Sequence, residues 1–491
     1  KPSYIPLSLS TMQVARKKLR MAIELTQTEN NIRNLLVSCC DHIKKTESKE
    51  IILRWTGGWV RDKLLGLPSS DLDVTIDKLT GYEFATRLEN YARIHEPRAL
   101  SKGAENIHLI AKNPDKSKHL ETAIMRLYNN DLDFVNLRSE EYTCDSRIPV
   151  MKFGTPKEDA ERRDATLNAL FYNLQTQAVE DYTGKGLKDL SDGILRTPLD
   201  PIETFLDDPL RVLRLIRFAA RFDMVIASET EEAMKDDRIK DAMRLKISRE
   251  RIGAELKKIF NSAKPQKALM YIYNNGLYES IFSLCDKGPL AGLQVDLARD
   301  VQRALEVLEV APSPLDLSKF WLAVSLVPYS GHKVLTGKNQ DRSMSAAEYV
   351  VREGIKFAGS DASFIAAVSE NIDETIACQS KIDCTENTID TRVRLGNLVR
   401  ALGSDWLTII CAQAVMNHEV KWETMINKIR ELGLENCYEM KPLLTGKDLM
   451  SILNEKPGPW LAGKLQEVID IQLGYPDISK DALADKIKSL K

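Results

Sequence analysis

The chain has 491 residues, 43% of them hydrophobic and 29% charged, and its 69 basic side chains nearly balance 71 acidic ones. That length implies two to four domains with ample core, and the near-neutral balance excludes a histone-like polycation, so any contact with nucleic acid must come from local patches. No uninterrupted apolar run approaches the roughly 18 residues needed to span a bilayer, so no membrane partner is expected.

The eight cysteines, at positions 39, 40, 144, 285, 378, 384, 411 and 437, show neither C-x-x-C spacing nor a secreted framework. They read as reduced thiols of an intracellular protein, and the vicinal Cys39-Cys40 pair as inert. Six scattered histidines make no zinc pattern. From Lys1 to Ile23 there are five basic residues (Lys1, Arg16, Lys17, Lys18, Arg20) and no acid before Glu24. Mitochondrial transit segments have this composition, as does an ordinary basic amphipathic helix. The opening Lys1 reads as a trimmed or processed start, and Met12 leaves room for a shorter product.

Residues 22–46 have loosely helical apolar spacing and lead into the stretch IILRWTGGWVRDKLLGLPSSDLDVTID at 51–77. Ile51, Leu53 and Trp55 alternate with Ile52, Arg54 and Thr56, as in a half-buried strand. Gly57-Gly58 then breaks it, and Trp59 to Leu65 has the length of two helical turns closed by Gly66. A glycine turn feeding a helix offers backbone N–H donors to a phosphate. In the next strand Asp71 and Asp73 share one face, with Leu72, Val74 and Ile76 on the other. Two carboxylates so placed are either a solvated strand end or a site for Mg²⁺.

A helix is expected over Tyr82–Tyr91, and a mobile loop over 95–120, where core residues are few. Residues 121–128 and 132–138 read as a hairpin turning at Asn129-Asn130-Asp131, with Asp133 at the start of its second strand. Arg162-Arg163-Asp164, followed by Asn168, could hold a ribose hydroxyl or a phosphate, or simply form a surface ion-pair cluster.

DDPLRVLRLIRFAARF at 207–222 reads as one amphipathic helix whose Arg211, Arg214, Arg217 and Arg221 form a basic stripe, solvated or functional. Pro209 is placed in its first turn and Asp208 beside Arg211 on one side. Ser248 reads as the N-cap of a helix through Phe260. Beyond about residue 290 the pattern is helical, with Pro457-Gly458-Pro459 before another helix start.

The ordered set G-G-x-V-R-D-x-L-L-G, D-x-D, R-R-D-x-x-x-N-A, D-x-x-G-x-G-x-x-D-L and acid-D-x-x-R resembles the polymerase-β superfamily. The likeness is to its class II form, shared by CCA-adding tRNA nucleotidyltransferases and bacterial poly(A) polymerases, and is closest to the eukaryotic, fungal-type CCA-adding enzymes. It is strong over 51–260 and looser beyond, and it implies a loop over the segment holding Arg138, Tyr142, Asp145 and Arg147 and a turn at 181–196 that links head to neck. The resemblance implies an α+β fold, with a small mixed-sheet nucleotidyltransferase head (51–180) after an N-terminal segment (1–50). A helical neck (181–290) and an all-α, tRNA-binding body and tail (291–491) then follow.

It further implies Asp71 and Asp73 as catalytic ligands of Mg²⁺, with Asp133 as the third acid. Gly57, Gly58 and Arg61 would hold the triphosphate, and Arg162, Arg163, Asp164 and Asn168 the nucleotide. Asp208 and Arg211 would select the base, with Arg214 and Arg217 on the same stripe: Asp208 would accept from the exocyclic amine of C or A, and Arg211 would donate to the adjacent ring nitrogen. The implied activity is CCA addition to tRNA from CTP and ATP by a monomer, in mitochondrion, cytoplasm or nucleus. A poly(A) polymerase and a non-catalytic RNA-binding protein are the alternatives.

Overall fold

A computed structural model describes residues 23–69, 71–100, 107–110, 122–143, 146–288, 290, 292–336, 342–382 and 388–490. The basic N-terminal segment, most of the loop at 95–120, and Asp145 lie outside these residues. The chain divides into two compact units, Lys1–Ile281 and Phe282–Lys491.

The first unit opens with helix α1 (Gln27–Glu47), whose Thr26 and Glu29 form a reciprocal capping box. Strand β1 (Leu53–Thr56), helix α2 (Gly58–Leu64) and strand β2 (Leu72–Ile76) realise the glycine-turn stretch. Helix α3 (Gly81–His95) and strands β3 (Ile107–Ile110), β4 (Thr122–Leu127) and β5 (Asn130–Asn136) follow. A separate two-stranded ribbon, β6 (Arg138–Thr143) and β7 (Ser146–Phe153), leads into helix α4 (Pro156–Glu161), then β8 (Leu170–Asn173) and β9 (Val179–Asp181), and the stretch expected as a turn at 181–196 holds helix α5 (Gly186–Asp192).

The main sheet has the order β3-β4-β5-β2-β1-β8-β9. Its β2–β5 pair is parallel and its other pairs antiparallel, so the sheet is mixed. One face is apolar: Leu53, Trp55, Leu72, Val74, Ile76, Leu132 and Phe134 are buried, with Trp55 edge-on to Trp59 of α2 and Phe134 against Phe84 of α3. Period-2 alternation therefore turns Thr56, Asp73 and Asp133 to the opposite face.

Several sequence expectations shift. The 95–120 stretch contributes β3, which adds an edge strand to the sheet. The β4–β5 turn is at Tyr128-Asn129, both at positive φ (48° and 62°), a geometry favoured in two-residue hairpins, rather than at 129–131. The segment read as a loop at 138–147 begins the β6–β7 ribbon.

The helix expected over 207–222 is two, α6 (Pro201–Asp207) and α7 (Leu210–Phe222). Pro209 clashes with a helical conformation of the residue before it, so Asp208 is extended at φ −137° and stands off the helix. The arginine stripe is solvated only in part: Arg211 and Arg217 are each only 8% exposed, while Arg214 and Arg221 are half-buried.

Short helices Ser228–Met234 (α8) and Asp237–Lys246 (α9) precede α10 (Arg249–Phe260) and α11 (Pro265–Asn274). Ser248 occupies the N-cap position of α10 without a capping side-chain bond.

Among its described residues the second unit is helical apart from a small hairpin, Lys333–Thr336 with Arg342–Ser345. One helical stretch among the described residues, Ile389–Met416, is long and apolar enough to cross a membrane by length and composition, and 72% of its apolar window is buried inside the protein. Residues at the chain's end close a core of Leu444, Leu449, Leu453, Val468, Leu483 and Ile487.

Glu29 ties α1 to α2. Its carboxylate accepts from Trp59 Nε1 (3.0 Å), Lys63 Nζ (2.7 Å) and the Thr26 N–H (2.7 Å) while almost fully buried. Burial opposes its ionisation, but Lys63, the Thr26 N–H and Trp59 together hold its pKa below the ordinary 4.5. Glu29→Ala should therefore lower the unfolding free energy by about 2 kcal/mol at pH 7, because it strands a half-buried lysine and a buried indole donor. The depressed carboxylate contributes fully above its ordinary pKa and loses that contribution as pH falls through the folded value. Urea titrations of both proteins at pH 7 and in acid should show the gap closing on acidification.

Candidate active site

The β1–β2 register pairs Leu53 with Ile76, Arg54 with Thr75 and Trp55 with Val74, so the next pair along the two strands is Thr56 with Asp73. On the other side of β2, the parallel register sets Asp73 beside Asp133 of β5. Side chains of neighbouring strands at matched positions are about 5 Å apart. Asp71 lies just before β2 and is exposed. Three carboxylates thus gather on the polar face of the sheet, where β2 begins and β1 ends.

Their electrostatics follow from that placement. Burial, then Asp71 and Asp133, push the Asp73 carboxyl up to about 7, with Arg163 opposing. Asp133 is raised by burial and then by Asp71 and Asp131. Among the described residues no three His, Cys, Asp or Glu side chains form a closed metal-holding group. An open pair of carboxylates with a third in register is nevertheless the donor set of a hard divalent cation that completes its shell with waters and substrate phosphate oxygens. The raised pKa values mark the uncompensated negative charge such an ion would neutralise, and on that observation the residues fit.

The glycine turn sits at the end of β1, with Gly57 at φ 70°. A Cβ there would come 3.1 Å from Arg163 Nη1, and one on Gly58 3.3 Å from Arg61 Nη2. Glycine is thus required at 57 for conformation and lets two guanidinium groups approach the backbone. Arg163 is oriented by Asp159, which accepts from its Nη2 at 2.8 Å, and by the Asn168 carbonyl at 3.1 Å, and it lies over the Phe171 ring. Asp159, fully buried, also takes Nε and Nη2 of Arg162 at 3.0 and 2.6 Å. Burial opposes its ionisation, but Arg163 and then Arg162 win and hold it at about 2.

A buried relay joins this corner to the helix of arginines. Arg61 Nη1 donates to Asn168 Oδ1 (2.5 Å), Asn168 Nδ2 donates to Asp164 Oδ1 (2.9 Å), and Arg214 Nε donates to Asp164 Oδ2 (2.6 Å). Arg61 also holds Asp62 and lies over the Phe222 ring. Asp164 is held far below the usual carboxylate range because Arg214 and the Asn168 amide outweigh its burial.

Arg211 donates to the Thr204 and Arg162 carbonyls, at 3.3 and 2.7 Å. Asp208 accepts from Arg251 at 3.0 Å and from the Leu210 N–H at 3.2 Å. Arg217 is bound to Glu255 at 2.6 Å.

The structure therefore brings Asp71, Asp73, Asp133, Gly57, Gly58 and Arg163 to one corner. It places Arg61, Asn168, Asp164 and Arg214 in the relay behind that corner and ties Arg162 to Asp159. Sequence reading overlooked Asp159, although its spacing three and four residues before the two arginines was a legible signal. It also overlooked Arg251 and Glu255, which meet their partners only through folding.

Between the ordinary carboxylate value and about 7, the folded chain retains a proton at Asp73 that the unfolded chain has released. Stability is therefore lost as pH rises through that window. Asp73→Asn removes the penalty. In chelator the variant should melt higher than its parent at pH 8, with the difference closing toward pH 4; equal melting curves at pH 8 would count against the charge crowding.

The chain matches the family model of the poly(A) polymerase head domain over residues 53–196, and that of the probable RNA- and SrmB-binding site of polymerase A over 223–287. It is 40% identical to a mitochondrial CCA tRNA nucleotidyltransferase of Candida glabrata, covering 95% of this chain and 96% of that one. It is 38% identical to the mitochondrial CCA tRNA nucleotidyltransferase of Saccharomyces cerevisiae, covering 95% and 94%. Poly(A) polymerase I of Haemophilus influenzae matches at 28% over 54% of this chain. Among solved structures, an apo CCA-adding enzyme superposes with a TM-score of 0.66 over 98% of this chain and 99% of its own, at 18% identity, a likeness of fold.

Proposed function

The chain belongs to the CCA tRNA nucleotidyltransferase family, and from that premise we propose that it adds C, C and A to the 3′ end of tRNA from CTP and ATP, without a nucleic-acid template and with release of pyrophosphate. The observation that carries the chemistry is the register that sets Asp73 against Asp133, next to Asp71 and the glycine turn. A poly(A) polymerase is disfavoured because its match is partial and more distant. A non-catalytic RNA-binding protein would have no use for the crowded carboxylates.

Asp71 and Asp73 would hold the cation, taken to be Mg²⁺, with Asp133 beside them. When bound, it supplies Lewis-acid neutralisation of the triphosphate charge and of the attacking 3′-oxygen. The remaining gain comes from positioning. Gly57 gives its own N–H to the Leu170 carbonyl and shapes the turn, Gly58 presents its backbone N–H to the triphosphate, and Arg163, aimed by Asp159, adds positive charge on the same side. Arg61, Asp164, Asn168 and Arg214 fix the glycine-turn helix to α7, so that phosphate site and base site move as one. Arg162 serves the same corner through Asp159, and Arg217 anchors α7 to α10.

Base choice rests on Asp208 and Arg211. Their fixed partners, Arg251 and the two backbone carbonyls, pre-orient an acceptor and a donor. C and A offer an amine to the first and a bare ring nitrogen to the second. G and U offer the reverse, so both contacts turn repulsive. The helical second unit is assigned to tRNA, held by backbone and shape. The mitochondrion is the proposed compartment, by likeness to the relatives named for it, with cytoplasm and nucleus as further sites, and the active species is proposed to be a monomer.

A tRNA transcript lacking its 3′ end should gain two C residues with CTP, then one A once ATP is present, then stop, when resolved at single-nucleotide steps. A long ladder from ATP alone would instead mean a poly(A) polymerase, and no extension would mean a binding protein. Asp71→Ala should abolish incorporation while leaving tRNA binding near the parent value. Arg211→Ala should erode discrimination against G and U by roughly 1–3 kcal/mol, read as relative kcat/KM; a variant still strict for C and A would sink the base-selection role.

A further inference from the structure

Thr56 is the last residue of β1, directly before the glycine turn, and is only 2% exposed. Its hydroxyl is buried and has no hydrogen-bond partner. A buried hydroxyl left in this way costs about 1–3 kcal/mol, so its surroundings warrant scrutiny. On one side its cross-strand neighbour is Phe171, an apolar ring that cannot accept a strong hydrogen bond. On the other, continuation of the β1–β2 register sets it opposite Asp73. Matched residues of an antiparallel pair point to the same face, with Cβ atoms about 5 Å apart. Of its two cross-strand neighbours, the only one with an acceptor is thus the central carboxylate of the site, and a χ1 step carries the hydroxyl between staggered positions.

We propose that Thr56 is a positioning residue for the transfer, its hydroxyl donating to the Asp73 carboxylate when cation and nucleotide are bound, so that the other carboxylate oxygen is held toward the ion. This rests on the reading of Asp73 as a ligand of the divalent cation. The unpartnered donor is the cost of keeping ready a bond that forms in the loaded state. Phe171 completes the arrangement: it backs Thr56 on the β8 side and carries Arg163 above its ring, so that the groups flanking Asp73 share one support. Hydrogen bonds that orient a metal-ligating carboxylate typically contribute 10- to 100-fold in metal affinity or activity.

The experiment uses the full chain with Thr56→Val, which keeps the branched shape without the hydroxyl, Thr56→Ser, which keeps the hydroxyl, and Asp73→Ala. Mn²⁺ binding in the presence of CTP is followed by electron paramagnetic resonance, together with melting temperature and with kcat and KM for CTP as Mg²⁺ is varied. The expected result is that Thr56→Val melts at or above the parent temperature, yet binds Mn²⁺ roughly tenfold more weakly. It should also need more Mg²⁺ for half-maximal kcat, with KM for CTP little changed at saturating metal, and Thr56→Ser should recover most of the loss.

If Thr56→Val binds Mn²⁺ as the parent does while Asp73→Ala does not, the role of Thr56 is overturned and that of Asp73 stands. Equal losses in the Val and Ser variants would likewise overturn it, since keeping the hydroxyl would then confer nothing. Undiminished Mn²⁺ binding by Asp73→Ala would overturn the metal reading itself.

Discussion

The structure of the first unit turns on placing like charges side by side. The parallel pairing of β2 with β5 sets Asp73 against Asp133, with Asp71 two residues upstream, so the sheet itself enforces a repulsion that ordinary folding would avoid. Such crowding survives only when the surrounding fold over-determines it. Here the apolar face of the same strands, built from Leu72, Val74, Leu132 and Phe134, leaves no other register: a one-residue slip would carry those four side chains to the polar face. Hydrophobic burial on one side of the sheet thus holds the electrostatic strain on the other.

The arginines complement that acidic row, and their own placement needs acids elsewhere. Asp159 is fully buried and orients Arg162 and Arg163, Asp164 anchors Arg214, and Glu255 anchors Arg217. Buried ion pairs of this sort contribute modestly to net stability once desolvation is counted. Their value lies in direction, since a planar guanidinium gripped on one edge presents a defined opposite edge. The relay from Arg61 through Asn168 and Asp164 to Arg214 carries this direction from the glycine-turn helix to α7. The corner that holds the acidic row and the helix of arginines are thereby parts of one rigid piece.

The break at Asp208 shows the same logic in backbone form. A continuous helix would have put Asp208 and Arg211 on one side at fixed spacing. Pro209 instead releases Asp208 from helical geometry, and Arg251 from α10 holds its carboxylate in place. The acceptor is then positioned by tertiary contact and the donor by the helix and two carbonyls, so the pair's geometry depends on α6, α7 and α10 docking together.

The sequence alone determined those features governed by local rules. Alternation defined β1 and β2 and put Asp71 and Asp73 on one face; Gly57-Gly58 marked the turn; helical spacing marked α7 and its arginines; and the order of motifs disclosed the family. The tertiary structure decided what depends on residues distant in sequence. Whether the arginine stripe was solvated or buried depended on Glu255 and Asp164, 38 and 50 residues away from their partners. The nearness of Asp133 to Asp73 required the parallel register, and the unpartnered hydroxyl of Thr56 emerged only once Phe171 and Asp73 lay on either side of it. Periodicity reports which face a side chain occupies, because that is set by the backbone it belongs to. It carries no information on what the facing strand or helix supplies, because pairing is chosen by the burial of the whole sheet.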